Sequence, residues 1–290
     1  MGEGSVLENS DAIPFHIIFT DLDGTLLDHD TYAWQGAEPA LELCKALKIP
    51  VILVSSKTRA EMEAIRREMS ISDPFIVENG GGIFFSVKDF ETPPINSAPV
   101  DGKEGLRELA IGLPYARLTK ELQGIRKEFG LNLKGFSDMS IDEIIQFTGL
   151  DPKSAGLAAK REFDEPFLIS GDPLQSEKII ITAAKQRGLS VTTGGRFFHL
   201  QGDNDKGQAM EMVISWYEKR HGKKVTSIAL GDSPNDFPML EIADYPVLVR
   251  SKRDFPLLRE SIPHLIVSRG MGPTGWNAAV LEILETRTAF

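Results

Sequence analysis

The chain has 290 residues, 41% hydrophobic and 26% charged, with a formal net charge of -10 at pH 7. That length suits a core domain carrying a second, inserted one, and the composition is that of an ordinary globular protein. The acidic balance argues against nucleic acid or an acidic membrane as a partner, so an anionic substrate must be held by a local group of Lys and Arg.

Cys44 is the only cysteine, which rules out an intrachain disulfide and fits a reducing compartment. The N-terminus lacks the basic region and apolar core of a signal peptide, and runs such as Ile49 to Val54 are far too short to span a bilayer. The expectation is a cytoplasmic protein with no membrane attachment and no obligate protein partner.

Residues 1–14 are rich in Gly, Ser and acids and read as a loose tail. Ile17 to Thr20 read as a short buried strand ending in Asp21 and Asp23. Pro39 to Lys48 reads as a helix with Pro in its first turn, and Ile49 to Val54 as a strand covered on both faces. Thr58 with Glu61 makes a capping box for a helix to Met69, and Phe75 to Val77 is a third strand before Glu78-Asn79-Gly80-Gly81-Gly82. This βαβαβ order predicts an α/β, Rossmann-like doubly wound parallel sheet.

Ser86 to Pro99 has a linker-like composition. Helical patterns follow at Gly102 to Ala110, Thr119 to Phe129 and Ile141 to Thr148, then a strand at Phe167 to Ser170 and a helix from Leu174 to Arg187. Leu189 to Thr193 and Arg196 to Leu200 form a hairpin across Gly194-Gly195. From Gly202 the first texture returns, with a helix from Lys206 to Arg220, strands at Val225 to Leu230 and Tyr245 to Val249, and a closing helix from Gly275. The expected division is a core of residues 15–85 and 202–290 with an inserted α+β domain of residues 86–201.

In an extended chain residues two apart share a side, so Asp21 and Asp23 address one point beyond the strand end. Two anions that close need a cation, a shared proton or a substrate that uses both. A calcium loop of the EF-hand type is excluded, since Gly24 is fourth rather than sixth and the twelfth position is Tyr32. Ser55, Lys206 and the pair Asp232 and Asp236 also fall at strand ends or helix starts of the same sheet.

Each has a bland reading as a strand end, a solvated lysine or a turn. Together, in this order, they make the set a phosphoryl-transfer site needs. Asp21 would attack phosphorus and become an aspartyl phosphate, and Asp23 would protonate the departing oxygen and then activate water. Mg²⁺ would be held by Asp21, the main-chain carbonyl of Asp23 and Asp232, with Asp236 as a further carboxylate of the metal site. Lys206 adds a compact positive charge, and Ser55 with backbone N–H groups would hold phosphate oxygens. No Gly-x-x-x-x-Gly-Lys-Ser/Thr loop is present, and the five histidines lack the spacing of a zinc site.

Asp-Leu-Asp-Gly-Thr, a strand-end serine, a Lys-Gly helix start and Gly-Asp-Ser-Pro-Asn-Asp resemble the four motifs of the haloacid dehalogenase superfamily phosphatases, and the insertion resembles their α/β cap. Val54-Ser55-Ser56-Lys57-Thr58-Arg59, Glu78-Asn79-Gly80-Gly81, Gly194-Gly195-Arg196-Phe197-Phe198-His199-Leu200 and Ser268-Arg269-Gly270-Met271-Gly272-Pro273-Thr274-Gly275-Trp276 resemble the mannosyl-3-phosphoglycerate phosphatases.

The resemblance implies Mg²⁺-dependent hydrolysis of 2-O-mannosyl-3-phosphoglycerate to mannosylglycerate and phosphate. Ser56, Lys57, Asn79, Gly80, Arg196, His199 and Arg269 are the implied substrate-binding residues. Arg196 and His199 would reach the glycerate carboxylate or the sugar, Asn79 and the following glycine would offer donors beside the phosphate, and Arg269 would sit in a Gly-rich anion-binding loop. Glucosyl-3-phosphoglycerate, sucrose 6-phosphate or a hexose phosphate would suit the same chemistry. A phosphomutase and a non-catalytic phosphosugar sensor are the more distant alternatives.

Overall fold

The computed structural model describes residues 15–88, 94–170, 173–194 and 197–288. The stretch 1–14, expected as a tail, lies outside them.

Among the described residues, thirteen strands form two sheets. The larger is built from β1 (Phe15–Thr20), β2 (Val51–Val54), β3 (Phe75–Val77), β4 (Gly82–Ser86), β5 (Ala98–Pro99), β6 (Leu106–Ala110), β11 (Val225–Gly231), β12 (Tyr245–Arg250) and β13 (Ile266–Met271), in the order β13-β12-β11-β1-β2-β3-β4-β6-β5. The smaller contains β7 (Leu133–Gly135), β8 (Asp164–Ile169), β9 (Ser190–Gly194) and β10 (Phe197–Gln201), in the order β7-β8-β10-β9.

Strands β13 to β3 of the large sheet are parallel, with β1 paired between β11 and β2. Their side chains alternate between two apolar layers. Ile18, Leu53, Phe75 and Ile228 pack on one face with α1 (Glu38–Leu47), α2 (Arg59–Glu68) and α10 (Gly272–Thr288). Ile17, Phe19, Ile52 and Ala229 pack on the other with α7 (Lys206–His221), α8 (Phe237–Ile242) and α9 (Pro256–Ser261). Two covered faces are why these strands read as unbroken apolar runs. The doubly wound α/β core is as expected.

The chain then departs from expectation. After β3 it reverses into antiparallel β4, and β6 and β5 continue the sheet in the same sense. The helix expected from Gly102 to Ala110 is therefore strand β6. Leu106-Arg107-Glu108-Leu109-Ala110 contains strong helix formers, but pairing on β4 overrides propensity at this sheet end. The division expected at Ser86 thus falls inside the large sheet.

In the small sheet α3 (Tyr115–Phe129) and α6 (Pro173–Gln186) cover one face, with Leu118, Leu122, Ile125, Phe167, Ile180 and Leu200 between them. Short helices α4 (Ile141–Thr148) and α5 (Pro152–Ala158) pack with Phe136 and Phe197 in a separate cluster. Strand β8 begins three residues before the expected Phe167, and the β9–β10 hairpin pairs antiparallel. No helix among the described residues is long and apolar enough to cross a membrane.

Candidate active site

The C-terminal ends of β1 and β11 lie side by side, and the Asp21 amide donates to the Leu230 carbonyl at 2.9 Å. Trp276 of α10 donates to Thr20 Oγ1 at 2.9 Å, locking the residue before Asp21. The chain then turns at Gly24, whose φ is +80°. A Cβ there would stand 2.8 Å from Asp232 Oδ2, so the turn after Asp23 packs directly on the second acidic loop.

Lys206 opens α7, whose first turn is capped by Asp205 accepting from the Gln208 amide. Its fully buried ammonium lies 2.6 Å from Asp21 Oδ1 and 2.5 Å from Asp236 Oδ1. The other oxygen of Asp236 accepts from the amides of Asp232 and Ser233, both at 3.0 Å. Asp236 therefore holds both the lysine and the turn that presents Asp232.

One carboxylate oxygen from each of Asp21, Asp232 and Asp236 lies within 4.8 Å of the others. Burial, then the Asp236 charge, pushes the Asp21 carboxyl well above its ordinary range, with Lys206 pulling the other way. Burial, again followed by Asp236, pushes Asp232 up to about 7. Three mutually repelling carboxylates with one lysine between them suit a hard, oxygen-seeking divalent cation, so the donor set fits Mg²⁺. The Asp23 side chain stands apart from that cluster. Its Oδ2 pairs with Lys57 Nζ at 2.8 Å, while Oδ1 is buried without a partner among the described residues.

Ser55 follows β2, beside the end of β1, and is almost fully buried. Its Oγ accepts from the Lys57 amide at 3.2 Å and its carbonyl from the Asn79 amide at 3.1 Å. The Ser56 carbonyl accepts from Arg161 Nη1 at 2.8 Å. The ends of the large sheet's strands and the start of α7 thus bring together Asp21, Lys206, Asp232 and Asp236, with Asp23 paired to Lys57 and Ser55 and Ser56 on the loop that carries Lys57.

Other expected binding residues take different places. Asn79 is buried, with its amide spent inside the protein: Oδ1 accepts from Asn235 at 3.0 Å and Nδ2 donates to Gln201 at 3.4 Å. It braces the acidic turn against the end of β10. Gly80 has φ +89°, and a Cβ there would be 2.1 Å from the Asp205 carbonyl oxygen, so this glycine lets the start of α7 approach.

His199 is buried on β10 with Nδ1 2.7 Å from Asp164 Oδ2. Arg269 lies on edge strand β13 rather than in a loop, 84% exposed and 3.5 Å from Glu282. The structure does not bring it to the acid cluster. Arg196 lies outside the described residues.

Several residues at the junction of the two sheets escaped the sequence reading. Glu78 is fully buried and accepts from the amides of Glu162 and Phe163, and burial, opposed by Arg161, pushes it up to about 8. Arg161 joins the Ser56 carbonyl to Asp164, and Arg59 pairs with Glu162 at 2.9 Å. The signal available was adjacency: Glu78 precedes Asn79-Gly80, and Arg59 ends the string begun by Ser55.

The sequence profile of the haloacid dehalogenase-like hydrolases matches residues 18–102. The chain is 43% identical over 274 residues to the glucosyl-3-phosphoglycerate/mannosyl-3-phosphoglycerate phosphatase of Methanococcoides burtonii, covering 93% of this chain and 97% of that one. It is 37% identical over 271 residues to the phosphatase of the same name from Persephonella marina, again covering 93% and 97%. Among solved structures, a Thermoplasma acidophilum protein superposes with a TM-score of 0.64 at 17% identity over 94% of this chain and 98% of its own. The sucrose-phosphatase of Synechocystis, solved with sucrose and phosphate, superposes with a TM-score of 0.59 at 14% identity over 94% and 98%. These two likenesses show the shared fold. The chain belongs to the glucosyl-3-phosphoglycerate/mannosyl-3-phosphoglycerate phosphatase family of haloacid dehalogenase-like hydrolases, and is a phosphoric monoester hydrolase.

Proposed function

We propose that the chain hydrolyses 2-O-mannosyl-3-phosphoglycerate to mannosylglycerate and phosphate, with the glucosyl ester as its second substrate. The names of both curated relatives support this substrate class. The observation that carries the mechanism is the Lys206 ammonium shared between Asp21 and Asp236, with Asp232 beside them.

Asp21 is the nucleophile. Its approach to a phosphate dianion is opposed by ~4 kcal/mol per charge pair at about 4 Å and an effective dielectric near 20. Lys206 offsets part of that and fixes the carboxylate toward the strand end. The Mg²⁺ expected at Asp21, the Asp23 carbonyl and Asp232 supplies the remaining neutralisation of phosphate charge. Asp236 holds the turn behind it.

Asp23 gives its proton to the departing glycerate oxygen, then takes one from the water that hydrolyses the aspartyl phosphate. The Ser55 hydroxyl and nearby amides hold phosphate oxygens as charge moves between them. Residues 111–201 act as the cap, meeting the core through Arg161, Glu162 and Gln201.

A phosphate-release panel tests the reading, with and without Mg²⁺, across mannosyl- and glucosyl-3-phosphoglycerate, sucrose 6-phosphate and hexose phosphates. Preference for the two glycosyl phosphoglycerates with Mg²⁺ is expected. Turnover confined to hexose phosphates, or independent of divalent metal, would overturn it.

A further inference from the structure

Lys57, implied by the resemblance to bind substrate but with no substrate group assigned to it, makes a corner with Tyr32 beside Asp23. The Lys57 ammonium is 2.8 Å from Asp23 Oδ2 and 5.3 Å from the centre of the Tyr32 ring. Tyr32 is 49% exposed, while the Lys57 side chain behind it is 12% exposed. Together with Asp23 they open from the buried acid cluster toward solvent.

The turn that presents Tyr32 is tied down. Asp28 Oδ1 accepts from the amides of Asp30 and Thr31 at 3.1 and 2.9 Å, and the Tyr32 amide donates to the Asp28 carbonyl at 3.0 Å. Tyr32 itself has φ 58°, a strained conformation for a bulky side chain. Such strain is kept where the ring's position matters.

The two lysines of the site differ in what they have left to give. Lys206 is buried between two carboxylates. An ammonium has three donors, and Lys57 spends one on Asp23. Glu61 also bears on Lys57, but its Oε2 takes the Thr58 amide and hydroxyl at 2.9 Å. The aromatic face over Lys57 favours the cation and keeps water from one side of it, which strengthens its pull on an anion.

In a 3-phosphoglycerate ester the carboxyl carbon is three bonds from the departing oxygen. Asp23, the proton donor to that oxygen, touches Lys57. We propose that Lys57, walled by Tyr32, binds the carboxylate of the leaving alcohol and so selects phosphate esters of acidic alcohols over neutral sugar phosphates. This rests on the phosphatase reading above.

The test compares kcat/KM on 2-O-mannosyl-3-phosphoglycerate and on the matched 2-O-mannosylglycerol 3-phosphate, in which CH2OH replaces the carboxylate. The enzymes are wild type, Lys57→Met, Lys57→Arg and Tyr32→Ala. The ratio of the two substrates within one variant does not depend on how much of that variant folds. Wild type should prefer the acidic ester, and Lys57→Met should shrink that preference by about 10- to 100-fold, the loss of one charge-assisted contact. Lys57→Arg should keep most of it, and Tyr32→Ala should weaken it in the same direction. An unchanged ratio in Lys57→Met, with wild type active on both esters, overturns this inference and leaves the phosphatase reading standing. Phosphate release from neither ester by wild type overturns both.

Discussion

Lys206 Nζ lies 2.6 Å from Asp21 Oδ1, at the start of a helix 185 positions away in sequence, and both groups are buried. The same ammonium holds Asp236, so one cation balances two of the three clustered carboxylates. Lys206→Met leaves two buried acids without their counter-charge. Breaking a buried pair in this way costs ~3–5 kcal/mol, and losing one preorganised charge lowers turnover by about 100-fold or more. Denaturant midpoints of the metal-free chain and phosphate release should both show the loss. A variant of wild-type stability would show that the pair is not a structural element.

Gly24 offers a narrower probe, because the three atoms nearest to a Cβ there all belong to the Asp232 carboxylate. Gly24→Ala is strained by the left-handed backbone by ~1–2 kcal/mol and displaces the Asp232 carboxylate. The apparent affinity for Mg²⁺ should weaken by about 10- to 100-fold, read by calorimetry as well as by turnover. Unaltered Mg²⁺ binding would remove Asp232 from the metal site.

The pH dependence follows from Asp232 and Glu78, whose carboxyls in the folded chain rise to about 7 and about 8 from ordinary values of 3.8 and 4.5. A raised folded value means that the proton favours the fold. That stability is complete below about pH 4 and is lost as pH rises through 7 and 8. Metal binding needs the deprotonated acid and works in the opposite direction at Asp232. Without metal the Tm should fall between about pH 5 and about pH 8.5, and added Mg²⁺ should raise it more at the higher pH. An equal rise at both would contradict the titration of the cluster.

Arg269 is the converse case. Its exposed ion pair with Glu282 on an edge strand touches nothing in the acid cluster. Arg269→Ala should alter stability by no more than ~1 kcal/mol, with turnover within about twofold of wild type. A loss of tenfold or more in kcat/KM would restore it as a substrate contact.

The readable parts of the sequence were those in which local pattern and environment agree. Strands β1, β2, β3 and β11 are buried on both faces, so their apolar runs were plain, and each chemical group at their ends is followed by turn residues that end the strand. Leu106 to Ala110 misled because a helix-forming composition lies between two strands, where pairing with β4 and β5 decides the conformation. The Gly-rich string around Arg269 misled in the reverse sense, reading as loop where β12 offers a partner.

Asn79 was found as a residue of interest but given a different task. Its partners Gln201 and Asn235 lie 122 and 156 positions away, and neither periodicity nor spacing reports such contacts. Glu78 was passed over for the same reason. The amides it accepts from are those of Glu162 and Phe163, just before β8, at 84 and 85 positions' remove.

The central claim is that Asp21 takes the phosphoryl group before water does, and the stereochemical course at phosphorus tests it most directly. Mannosyl-3-phosphoglycerate made chiral at phosphorus with oxygen isotopes should give inorganic phosphate with net retention, the result of two successive in-line displacements. Net inversion would mean a single direct attack by water and would contradict the account.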